Sequence, residues 1–210
     1  MNRQSPNAIW RAGWATNKTT CASKVPDVKA NHKIHDGEWK RAAPHPDSPY
    51  RAWLLDRGSL TGRIQSRCAA FSVRGVHQRF AKPFRDEVRE LSLPARELAL
   101  TREVFLYCKA TPVVFAHTVL QRTALRGPWH FLATQGSKPL GATLFSNPKV
   151  ARLPLHFKKL TDRHELFRRA QRVLKSSTDC LWARRSLFIV EREPLMVTEV
   201  FLPGILELPA

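Results

Sequence analysis

The sequence predicts an α+β domain built on a single antiparallel β-sheet with helices packed around it. Two pairs of strand-like runs, residues 102–108 with 112–120 and 182–191 with 195–202, are each separated by a few turn-forming residues, as hairpins require. Between the pairs, residues 163–175 place Leu166, Phe167, Ala170, Val173 and Leu174 on one helical face. The 210 residues suffice for one domain with a real core, and a 43% hydrophobic content separates the chain from disordered sequences.

Along the chain, residues 1–48 read as a disordered basic N-terminal extension, and residues 49–210 as the folded domain. No acidic residue precedes Asp27, apolar periodicity is absent, and Pro44, Pro46 and Pro49 punctuate the end of the segment. His32, His35 and Cys21 lie in it without the second close ligand pair that a metal site needs, so no metal is expected. Residues 50–55 have a short helical pattern stopped at Gly58, and residues 60–68 begin a second helix for which Ser59 is the N-cap. Residues 71–76 alternate as a strand, and the charged residues 83–93 read as a connection running outward. After the first hairpin, residues 129–135 and 143–145 flank a turn at 136–141. The second hairpin turns at Glu193-Pro194.

Several classes are excluded. No run of about 18 apolar residues exists to span a membrane, and no compact apolar block marks a secretory signal, so a soluble protein is expected. Cys21, Cys68, Cys108 and Cys180 form no C-x-x-C pair and read as free thiols in a reducing compartment. Neither a phosphate-binding glycine loop nor a G-x-S-x-G elbow occurs. The net charge of +18 suits nucleic acid or a dianionic small molecule equally. The basic residues are nevertheless dispersed and lack the aromatic partners of nucleic-acid modules.

Charged residues inside apolar strands are the more specific signal. Arg102 shares a strand face with Val104, Leu106 and Cys108, and Glu199 interrupts the apolar run 195–202. Buried charges of this kind form structural ion pairs or functional sites, and pattern alone supports both. Arg184-Arg185 beside Trp182 reads as a solvent-facing pair at a strand end, with a phosphate patch as the alternative.

Five blocks, at residues 53–61 (WLLDRGSLT), 101–108 (TREVFLYC), 136–145 (GSKPLGATLF), 181–186 (LWARRS) and 194–203 (PLMVTEVFLP), resemble chorismate pyruvate-lyases in order and spacing. The resemblance runs from Trp53 to the C-terminus. It implies a cofactor-free cytoplasmic enzyme, expected as a monomer, that cuts chorismate into 4-hydroxybenzoate, the aromatic precursor for ubiquinone, and pyruvate. It places substrate contacts on Leu60, Arg102, Leu140 and Glu199, with Arg102 and Glu199 as the catalytic pair. Where the family generally has Arg in an A-R-T-V pattern, this chain has His117, which is taken as its substitute in the site. Effector-binding domains of bacterial regulators share the implied fold, but residues 1–48 are too short and irregular for the winged helix that precedes them.

Overall fold

The computed structural model describes residues 38–94 and 96–209. Its strands are β1 (Phe71–Ala81), β2 (Ala99–Cys108), β3 (Thr111–Leu120), β4 (Ala151–Arg152), β5 (His156–Leu160), β6 (Leu181–Val190) and β7 (Glu193–Phe201). All pairings are antiparallel, in the order β1-β2-β3-β7-β6, with β4 and β5 sharing the outer edge of β6. The helices α1 (Arg51–Leu55), α2 (Leu60–Gln65) and α4 (Leu140–Ser146) cover one face, here the front, while α3 (Arg85–Glu90) and α5 (Glu165–Gln171) cover the back.

Side-chain alternation builds both interfaces. On the front, Leu54, Leu60 and Ile64 pack on Val104, Leu106 and Phe201, and Leu140 and Leu144 pack on Leu120, Phe188 and Leu195. On the back, Leu166, Phe167 and Ala170 of α5 meet Phe115, Ala183 and Val200. Each fully buried side chain of this size contributes about 1.5–3 kcal/mol. Ser59 caps α2 as expected, its Oγ accepting from the Gly62 N–H at 3.2 Å.

The structure departs from the sequence expectation at several places. Residues 85–90 form α3 rather than an outward connection, because Glu87, only 2% exposed, turns back to accept the Phe84 N–H at 2.9 Å. Residues 140–146 are helical, so α4 begins inside the expected turn. The second hairpin turns two residues earlier than Glu193-Pro194: Glu191 and Arg192 have φ of 50° and 70°, the left-handed pair of a type I′ turn. The folded unit begins before residue 49, since Lys40 pairs with Phe157 and Trp39 Nε1 donates to Asp86 at 2.8 Å; residues 1–37, with Cys21, His32 and His35, lie outside the described residues.

Cys68 and Cys108 are not free thiols. The β1–β2 register sets Phe71 opposite Cys108, which brings Cys68 from the end of α2 to a Cα–Cα distance of 5.7 Å, and the two are joined in a disulfide. A pairing across 40 residues depends on that register and leaves no trace in local spacing. Cys180 is buried.

The remaining departure concerns His117. Cys108 pairs with Thr111 across the first hairpin turn, and an unbroken ladder would set Arg102 opposite His117. A β-bulge at Val113 shifts the register by one residue, so Arg102 faces Thr118 and His117 faces Glu103 on the back of the sheet. There His117, 1% exposed, lies between Glu103 Oε1 (3.0 Å from Nδ1) and Glu87 Oε1 (3.1 Å from Nε2), and Arg169 of α5 also pairs with Glu103. Burial opposes a charged ring here, but hydrogen bonds and charge from Glu103 and Glu87 prevail and raise His117 to about 9. His117 is therefore a back-face clamp between β3, β2 and α3, separated from the Arg102 face by the sheet itself.

The raised value sets a pH dependence. The imidazolium contributes fully below the ordinary value of 6.5 and is lost as the pH rises through about 9. The melting temperature should fall between pH 7 and pH 9.5 as a contribution of about 3 kcal/mol fades. His117→Gln should be less stable at pH 7 and should lose this slope. A decline of equal steepness in parent and variant would contradict the clamp.

Candidate active site

Register alone gathers the site on the front face. Arg102 pairs with Thr118, Thr118 with Val197, Ala116 with Glu199, and Glu199 with Arg184. All of these but Arg184, joined by Val104, Leu106 and Phe188, floor a cavity of about 540 Å³ of empty space, part of it open to solvent. The volume falls in the usual range for small-molecule sites, about 300–1,000 Å³. The roof comes from Leu60 and Thr61 of α2 and from Leu140, Gly141, Leu144 and Phe145 of α4.

Arg102 is 3% exposed and sits at the closed end. Its Nη2 donates to the carbonyls of Gly136 (2.9 Å) and Lys138 (3.2 Å), which hold the loop leading into α4. Its Nε is buried without an acceptor, so this N–H remains available for a ligand oxygen. Burial with no carboxylate beside it pushes the guanidinium below its ordinary value.

Glu199 is held differently. Arg184 Nε donates to Glu199 Oε2 at 2.6 Å, and Arg184 Nη1 donates to the carbonyls of Trp53 (2.9 Å), Leu54 (3.3 Å) and Asp56 (2.6 Å). The five-residue α1 leaves its C-terminal carbonyls without helical partners, and the guanidinium satisfies them. Arg184 is completely buried and Arg185 nearly so, which corrects the reading of this pair as solvent-facing: alternation sends Arg184 to the front and Arg185 to Asp86 on the back at 2.7 Å. Arg102 and Glu199 do not pair with one another.

Leu60 and Leu140 are each the first residue of a short helix, where the peptide N–H has no acceptor within the helix, and both side chains line the cavity. Four of the five expected site residues, Leu60, Arg102, Leu140 and Glu199, thus converge on one space, and His117 does not. Among the cavity residues that escaped the sequence reading are Thr118 and Arg152. Thr118 was hidden by the bulge, and Arg152 lies on a two-residue strand too short to show periodicity.

A largely apolar, enclosed space carrying guanidinium groups defines a binder of a compact organic anion. The chorismate lyase family matches residues 38–208 of the chain. Similar proteins include a probable chorismate pyruvate-lyase of Nitrosospira multiformis, 55% identical over 168 residues that cover 79% of this chain and 93% of that protein. Another, from Aromatoleum aromaticum, is 46% identical over 179 residues, covering 83% and 97% respectively. Among solved structures, PhnF from Mycobacterium smegmatis shares the fold with a TM-score of 0.51 at 13% identity, over 71% of this chain and 66% of that one. The chain belongs to the chorismate lyase family.

The roof depends on a glycine. A Cβ on Gly141 would lie 3.0 Å from Thr61 Oγ1 and 3.2 Å from Ser59 Oγ, so an added methyl would require these side chains of α2 and its cap to give way by a few tenths of an ångström. Gly141→Ala should gain about 1 kcal/mol of helix propensity and lose it to this contact. Thr61→Ala in the same chain should release the gain, giving a coupling of about 1 kcal/mol in thermal unfolding. Strictly additive effects would show that the two helices do not touch there.

Proposed function

We propose that this protein is a chorismate pyruvate-lyase that converts chorismate to 4-hydroxybenzoate and pyruvate. The observation that carries this reading is a cavity lined by a buried Arg102 whose Nε has no acceptor and by an Arg184-held Glu199 in the same floor, in a chain of this family.

Arg102 takes the ring carboxylate through its free Nε–H, helped by the first-turn N–H groups of Leu60 and Leu140, whose side chains keep water from the ring. Glu199 accepts a hydrogen bond from the ring hydroxyl; Arg184 and its carbonyl partners hold the carboxylate in place, so little reorganisation accompanies binding. The reaction breaks the bond between the ring and the enolpyruvyl oxygen and removes the hydrogen from the hydroxyl-bearing carbon. One proton is gained by the departing enolpyruvate as it becomes pyruvate, so atoms balance without an oxidant or an external group. Aromatisation supplies the driving force, and the protein's share is to orient and desolvate the substrate. The enzyme works as a cytoplasmic monomer without a cofactor, and its product is the aromatic precursor for ubiquinone.

Mixing the purified protein with chorismate should yield 4-hydroxybenzoate and pyruvate in equal amounts, at a rate unchanged by EDTA. Absence of both products would overturn the reading, and a rate lost to EDTA and restored by a divalent ion would overturn its cofactor-free form. Arg102→Lys keeps the charge and loses the fork. It should weaken 4-hydroxybenzoate binding by roughly 1.5–3 kcal/mol in calorimetric titration.

A further inference from the structure

The cavity holds more positive charge than one carboxylate requires. Two guanidinium groups line it, since Arg184 is not among the lining residues and is balanced by Glu199. Arg102 has only carbonyl partners. Arg152 is the other. Its register partner on β6 is Phe188, which turns its side chain to the front face, where the guanidinium lies 5.3 Å from the ring centres of both Phe145 and Phe188. Nε donates to Ser186 Oγ at 2.9 Å and Nη1 to the Arg57 carbonyl at 2.8 Å. Among the described residues no carboxylate lies within ion-pair distance of it. Burial pushes the group down to about 10, helped by the like charges of Arg184 and Arg57 and opposed by the more distant carboxylates of Glu199 and Asp56.

We propose that Arg152 is the second carboxylate anchor of the site, taking the enolpyruvyl carboxylate of chorismate while Arg102 takes the ring carboxylate. This rests on the chorismate lyase reading and adds to it the residue that distinguishes substrate from product. Two unbalanced cations match the dianionic substrate, whereas 4-hydroxybenzoate offers one carboxylate and leaves Arg152 without a partner. The two anchors also differ in depth. Arg102 is 3% exposed, whereas Arg152 is half-buried beside Phe145, which is 41% exposed on α4. The enolpyruvyl end of the substrate therefore lies towards the more exposed side of the cavity. Ser186 and the Arg57 carbonyl hold the guanidinium between the two rings, so the anchor is in place before substrate arrives. His117, the residue at the family's usual arginine position, has no access to this space from the back face.

The test uses the full chain, chorismate, 4-hydroxybenzoate, and an unreactive dianionic analogue, 3-(1-carboxyethoxy)-4-hydroxybenzoate. Arg152→Gln should raise KM for chorismate about 10- to 100-fold, the loss of one charged hydrogen-bonding partner. It should weaken the analogue by a similar factor while leaving the Kd for 4-hydroxybenzoate within about threefold of the parent. Arg152→Lys should recover part of the analogue's affinity. If Arg152→Gln binds all three ligands as the parent does, or weakens all three alike with a lower melting temperature, Arg152 is a wall residue and the inference fails. If Arg152→Gln does not fold, Arg152→Lys decides: equal loss for analogue and 4-hydroxybenzoate overturns the inference, and loss confined to the analogue supports it. Failure of the parent to turn over chorismate would instead sink the functional reading, an outcome read before any variant is made.

Discussion

Arg184 joins three parts of the molecule. It lies completely buried on β6, binds Glu199 on β7 and accepts the task of satisfying the carbonyls at the end of α1 and at Asp56. The chain then runs directly from Asp56 into α2, whose first two residues roof the cavity. A buried ion pair of this kind adds little net stability, because desolvation offsets the attraction, yet removing one partner strands the other at a cost of about 3–5 kcal/mol. Its value is positional: the carboxylate in the floor and the helix above it are set by one guanidinium.

The sheet divides its charges by face. On the front, the Arg184–Glu199 pair is balanced, and the two cations left over, Arg102 and Arg152, open into the cavity. On the back, Arg185 pairs with Asp86 beneath the Trp39 ring, and His117 lies between Glu87 and Glu103. Adjacent residues thus serve opposite purposes, Arg184 for the site and Arg185 for the packing of α3 and the segment before α1. The back face closes its charges on one another, whereas the front face leaves two for an anion.

Much of this was legible in the sequence where chemistry and local pattern coincide. Arg102 and Glu199 stand out as charges within apolar strands, and the hairpins, the Ser59 cap and the apolar face of α5 follow from periodicity. What failed was register. Glu191-Arg192 carries neither Asn nor Gly, so the turn was drawn towards Pro194, and Arg184 lost the partner that a Val190–Glu193 closing pair assigns to it. The bulge at Val113 involves a fully buried valine and has no glycine to announce it, yet it decides that Thr118 rather than His117 faces Arg102. Cys68 and Cys108 likewise meet only through strand pairing. The bulge is a shift of one residue, and in a sheet with period two such a shift moves a side chain through to the other face.

The positional role of Arg184 is tested most directly by a double-mutant cycle on Arg184→Met and Glu199→Met, read by thermal unfolding and by 4-hydroxybenzoate titration of each folded variant. Each single replacement should cost about 3–5 kcal/mol, because the other charge is left buried without its partner. The double replacement should regain a large part of that stability and yet bind 4-hydroxybenzoate poorly, since the carboxylate and the anchored α1 end are both gone. Single variants as stable as the parent, or a double variant that binds the ligand as the parent does, would contradict the view that this pair sets the site.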